Sequence, residues 1–137
     1  MKTSDIRKHE PSWHHIDAAS QVLGRISTSA ADLLRGKNKV SFTMNMDCGD
    51  HVVITNASSV VLTGNKLDQK KYYRHSGRLG NLKTTTAKVM METNPEFIIR
   101  NSVKGMLPKN KLQNEWMKRL HVYAGNEHPH GANLAGK

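Results

Sequence analysis

His51-Val52-Val53-Ile54-Thr55 is a strand signal with an almost unbroken apolar centre. A strand buried on one face alternates apolar and polar residues. One covered on both faces, as in a parallel sheet between helices, does not. Upstream, Trp13-His14-His15-Ile16-Asp17 alternates like a short strand. Between the two, Val22, Leu23, Ile26, Ala30, Leu33 and Leu34 recur at helical spacing. Ser20 is the expected N-cap of that helix, and Gly36 its stop. Arg25 and Arg35 fall off the apolar stripe and are expected to face outward.

An irregular stretch fills residues 37–49. After the central strand, Asn56-Ala57-Ser58 reads as a turn, and Val60-Val61-Leu62-Thr63 as a further strand closed by Gly64. Residues 84–92 have moderate helical character. Asn94-Pro95-Glu96 is a helix start, with a capping side chain, proline at the first position and an acid in the first turn. Its buried side is expected to hold Phe97, Ile98, Val103 and Met106, and Pro108 to end it. Leu112, Trp116 and Leu120 suggest a short helix, and residues 120–123 a last strand. The alternation of strands and helices predicts an α/β domain with a mainly parallel sheet between helices. The 137 residues are expected to form one domain, with a loose arm over 1–12, a projecting basic extension over 65–83 and a polar tail over 126–137.

Charge narrows the function. Lys and Arg total 21 against 11 Asp and Glu, giving a net charge of +10 and a pI near 10.0. Such an excess on a small chain predicts a polyanionic partner. No apolar run approaches the ~18 residues of a membrane span, and no basic amphipathic helix with an aromatic face is visible, so no membrane partner is expected. Cys48 is the one cysteine, which excludes an intrachain disulfide and fits a reducing compartment. Residues 1–10 lack the apolar stretch of a signal peptide. A cytoplasmic location is expected, or an organelle with the import segment removed.

The basic residues concentrate. Segment 65–83 holds six Lys/Arg and one acid, Asp68, interleaved with Tyr72, Tyr73 and His75. Cations neutralise phosphates, while tyrosine and histidine stack on unpaired bases or reach the 2′-OH, so this pattern points to RNA. Segment 100–119 has six Lys/Arg and one acid, Glu115. There Lys104, Lys109 and Lys111 flank Gly105 and Pro108, where backbone can approach a phosphate. His128-Pro129-His130 and the Cys48/His51 pair have ligand-like spacing, but a structural zinc site wants four ligands, and no metal is expected. Asp17, Asp47 and Asp50 lack a partnering base or nucleophile and are expected to cap turns. Trp13 and Trp116 are expected in the core. No phosphate-binding or dinucleotide-binding glycine motif occurs, so no cofactor or small-molecule substrate is expected.

Taken in order, Ile16-Asp17-Ala18, Leu23-Gly24-Arg25, Leu34-Arg35-Gly36-Lys37, Cys48-Gly49-Asp50, Asn56-Ala57, Thr63-Gly64-Asn65-Lys66, Tyr72-Tyr73-Arg74-His75-Ser76-Gly77, Val103-Lys104-Gly105-Met106-Leu107-Pro108 and Val122-Tyr123-Ala124-Gly125 through His130 form a pattern. It resembles the family of ribosomal protein thirteen of the large subunit, in its bacterial or organellar form. The resemblance runs from about Trp13 to His130. It implies a three-layer α/β/α fold with a four-stranded parallel sheet, direct binding to large-subunit rRNA early in assembly, neighbouring ribosomal proteins as partners, and no catalysis. Two departures stand out. Thr43-Met44-Asn45-Met46 replaces a Thr-Pro-His-Val usual in the family, and Asn101-Ser102 replaces a usually apolar pair.

Three sets of RNA-contacting residues are therefore expected. Arg25, Arg35, Lys37 and Lys39 would pin one edge to phosphates. Lys66, Lys70, Lys71, Tyr72, Tyr73, Arg74, His75, Arg78 and Lys83 would form the main contact. Lys104, Lys109, Lys111, Arg119, His128 and His130 would form a second surface. The rival readings are a small α/β RNA-processing enzyme, which needs a triad or metal cluster, and a regulatory RNA-binding protein acting off the ribosome.

Overall fold

The computed structural model describes residues 10–135. Most of the expected arm, up to residue 9, and the tail end at 136–137 lie outside them. Three strands form a parallel sheet: β1 (Trp13–Asp17), β2 (His51–Thr55) and β5 (Leu120–Val122), in the order β1-β2-β5. Trp13 pairs with His51 at one end of the β1–β2 ladder and Asp17 with Thr55 at the other. β2 is central, and Val52, Val53 and Ile54 are fully buried, as its apolar run predicts.

The helices are α1 (Leu23–Arg35), α2 (Lys66–Gln69), α3 (Ala87–Thr93), α4 (Pro95–Met106), α5 (Leu112–Lys118) and α6 (Gly131–Ala135). Leu23, Ile26, Ala30 and Leu34 of α1 and Ile98, Ile99 and Val103 of α4 bury against Val52, Ile54, Leu120 and Val122. That apolar face is the core. Val53, one residue out of phase, points to the opposite face with Trp13, His51 and His121. Residues 123–135, including α6, cover that face.

Several expectations change. The sheet has three strands among the described residues, where four were expected. The run at 60–63 supplies only an isolated bridge, Val22 to Val61. Asn56, at φ 58°, and a 3-10 turn over Ala57–Ser59 swing the chain out of the sheet first. Ser20 is not the N-cap. It sits at φ 58°, whereas a capping residue is extended. Val22 holds the cap position without a side-chain bond, and the Val61 carbonyl accepts the Leu23 N–H at 3.1 Å, so a neighbouring segment does the work of a cap. Residues 84–86 belong to a strand, not a helix. The tail gains α6. Phe97 and Met106 are 41% and 42% exposed, off the buried side of α4.

The helix stops are as expected. Gly36 ends α1 at φ 70°. Asn94 caps α4, its side-chain oxygen accepting the Phe97 N–H at 3.2 Å. The 47–50 turn is held by side-chain hydrogen bonds. Asp47 accepts from Gly49 N at 3.1 Å, Trp116 Nε1 at 3.1 Å and Arg119 Nη1 at 2.9 Å. Asp50, 3% exposed, accepts from Ser12 N at 2.7 Å and pairs with His14 and Lys39. Burial pushes the Asp50 carboxyl up, but the Lys39, Ser12 and His14 bonds outweigh it, and its pKa is lowered.

Candidate nucleic-acid interface

Segment 65–83 is where cations and aromatics gather, and the structure gives it form. The short α2 leads into β3 (Lys71–His75), which pairs antiparallel with β4 (Leu82–Thr86). Side chains alternate across a two-stranded ladder. Lys71, Tyr73 and His75 therefore share one face with Leu82. Tyr72, Arg74, Lys83 and Thr85 share the other, and on that face Arg74 stands directly opposite Lys83. Lys66, Lys70, Lys71, Arg74, Arg78 and Lys83 are all exposed, and none has an ion-pair partner among the described residues. Tyr73 is 65% exposed and free to stack. His75 is exposed, its Nδ1 accepting the Gly77 N–H at 2.9 Å.

Tyr72 is different. It is buried, its ring edge-on to Phe97 at 5.7 Å and the Lys70 ammonium 5.7 Å above it. Its hydroxyl has no hydrogen-bond partner among the described residues, and burial raises its pKa. Tyr72 is thus not the open stacking platform expected of it.

A second exposed cationic set lies where α4 turns into α5. Lys104, Lys109 and Lys111 are exposed around Pro108, and Gln113 Nε2 donates to the Lys104 carbonyl at 2.9 Å, fixing the turn. On α1, Arg25 is exposed, and Lys37 just beyond it is exposed but 3.6 Å from Asp32.

Five further expected contacts are engaged inside the protein. Arg35 lies over the Phe42 ring at 5.5 Å and is half-buried. Lys39 donates to the Cys48 carbonyl at 3.2 Å and pairs with Asp50. Arg119 donates to both oxygens of Asp47 and to the Gly49 carbonyl. His130 hydrogen-bonds to the Tyr123 hydroxyl at 2.8 Å and packs 4.4 Å from His121. His128 packs against His15 at 5.7 Å. Arg119, His128 and His130 each have a partner remote in sequence, in Asp47, His15 and Trp13, so local pattern could not expose them. Trp116 is core as expected, whereas Trp13 is only half-buried and stacks on His51 at 4.2 Å.

The sequence reading missed residues that line the hairpin's surroundings: Ser76 and Asn81 beside Arg74, and Met90, Asn94 and Phe97 below Tyr72. Only the folded arrangement of the hairpin and the helices beside it brings them together. Among the described residues, no group of three or more His, Cys, Asp or Glu is placed to hold a metal ion, and no helix is long and apolar enough to cross a membrane.

Comparison with known proteins adds an independent finding. The profile of the family described as "Ribosomal protein L13" matches residues 11–129. A curated relative from Maridesulfovibrio salexigens, "Large ribosomal subunit protein uL13", is 50% identical over 131 residues, covering 96% of this chain and 90% of the relative. The protein of the same name from Geobacter sulfurreducens is 50% identical over 135 residues, covering 96% and 94%. That from Spiroplasma citri is 53% identical over 125 residues, covering 91% and 86%.

Proposed function

This chain belongs to the ribosomal protein L13 family, and from that premise we propose that it is a structural, non-catalytic constituent of the large ribosomal subunit that binds the large rRNA directly and supports early assembly. The observation that carries the RNA contact is the set of six exposed Lys/Arg over 65–83 without an acidic partner among the described residues. The α/β body acts as one domain and holds this hairpin rigidly. Lys66, Lys70, Lys71, Tyr73, Arg74, His75, Arg78 and Lys83 form the main contact. Lys104, Lys109 and Lys111 form a second surface, and Arg25 and Lys37 a third point. Phosphate contacts position the protein, and RNA shape supplies recognition. The cations reduce repulsion between RNA helices brought together, favouring a fold the RNA alone visits briefly. Neighbouring ribosomal proteins complete its surroundings, in the cytoplasm.

Sedimentation of a tagged copy through sucrose gradients tests this, at low salt and after a high-salt wash. Retention with the large subunit through the wash is expected. Recovery only at the top of the gradient overturns the reading.

A further inference from the structure

Arg74 and Lys83 face each other across β3 and β4. Like charges directly opposite weaken an antiparallel pair. Neither has an acidic partner among the described residues, so the pair is suited to an anion between them. Both line two adjoining depressions. One, of about 300 Å³, is polar and adds His75, Ser76 and Asn81. The other, of about 610 Å³, has Tyr72, Met90 and Phe97 in its lining, with Asn94 beside them. Both volumes fall within the range of small-ligand pockets.

Tyr72 lines the larger groove with its ring, while its hydroxyl is buried beneath. Tyr72 is 8% exposed, yet its hydroxyl has no hydrogen-bond partner among the described residues. Phe97 lies beside it, 41% exposed. Asn94 uses its oxygen to cap α4, leaving its amide N–H groups outside that bond.

We propose that this groove holds one unstacked nucleotide of the rRNA, its base against Phe97 and Met90 and its phosphate between Arg74 and Lys83. The exposed Asn94 amide hydrogen-bonds the base edge above the Tyr72 ring. The smaller depression takes the adjoining sugar-phosphate. An aromatic floor beside a cationic pair matches an unpaired base and its phosphate, where a protein segment would need an acid instead. The proposal rests on the rRNA-binding reading above.

The test is chemical probing of full-length large-subunit rRNA bound to the whole protein, with base-specific and backbone-cleaving reagents. Wild type, Phe97→Ala and Tyr72→Phe are compared, with circular dichroism checking each fold. One unpaired base is expected to be protected by wild type and released by Phe97→Ala, with affinity down about tenfold. Tyr72→Phe keeps the ring and removes only the buried hydroxyl, so it is expected to leave protection of that same base unchanged. The backbone footprint is expected to persist in both variants. An intact footprint with base protection unchanged by folded Phe97→Ala overturns the nucleotide site and leaves rRNA binding standing. A wild-type protein that leaves no footprint overturns both readings.

Discussion

Arg119 and Asp47, 72 positions apart, are joined by two hydrogen bonds, Nη1 to Oδ1 at 2.9 Å and Nη2 to Oδ2. This forked pair ties the entry to β5 to the turn that precedes β2. A guanidinium so held is committed to the fold, although its charge alone made it a candidate for RNA. Lys39, paired with Asp50, is another such case.

Arg119→Ala is therefore expected to cost stability rather than phosphate contacts. Hydrogen bonds to charged groups and a partly buried, stranded carboxylate together place the loss at about 2–3 kcal/mol. Urea denaturation measures it. The salt dependence of rRNA binding by the folded variant is expected to stay at the wild-type slope.

The opposite is expected of Lys70, Lys71 and Arg74, which are exposed and without ion-pair partners among the described residues. Their joint replacement by alanine should leave stability nearly unchanged. It should lower the slope of log K against log salt by about two to three units, since each duplex phosphate contact contributes about 0.9. An unchanged slope rules the cluster out as phosphate contacts.

The histidine-rich sheet face predicts a pH dependence. Burial lowers the His51 pKa from 6.5, with the nearby Arg119 and His130 charges adding to the shift and Asp50 opposing it. Burial also lowers that of His121, helped by His130, His51 and Arg100. A histidine whose folded pKa lies below its unfolded value is protonated first in the unfolded chain. Stability contributed by the neutral rings is full above about pH 6.5 and is lost as the pH falls from there toward the depressed folded values. Thermal melts between pH 8 and pH 5 should show Tm falling through that window. His51→Phe, which keeps a ring on Trp13, should flatten the fall.

Two glycines separate backbone crowding from open space. A Cβ on Gly49 would lie 1.7 Å from the Leu34 carbonyl oxygen. Gly49→Ala is expected to lose about 3 kcal/mol or more, because backbone on both sides must move. A Cβ on Gly105, near the end of α4, meets nothing within 4 Å. Gly105→Ala is expected to gain about 0.5–1 kcal/mol from helix propensity. Its rRNA affinity should fall, because the added methyl would stand where the proposed second surface brings backbone to a phosphate. Denaturation and binding titration on the same samples read both effects.

The elements that pattern revealed are those whose cause is local or periodic. β2 declared itself because a central strand must be apolar on both faces, and α4 because Asn94 and Pro95 mark a start that any context respects. Residues 60–63 look like a strand by composition, yet strand formation depends on which edge is within reach, and Asn56 turns them away. Of the RNA-contacting candidates, exposed lysines in a polar stretch were legible because nothing nearby could bury them.

The sequence by itself determined the α/β class, the central strand, the cationic character of 65–83 and the family. Each follows from residue type, short-range spacing or ordered motifs. Tertiary structure alone decided which cations are committed inward, since Asp47 and Asp50 reach Arg119 and Lys39 only after the chain folds. It also decided that Arg74 meets Lys83 above an aromatic groove. Cross-strand neighbours are set by register and turn geometry, and the Tyr72 and Phe97 rings, remote in sequence, meet edge-on only once the chain is folded.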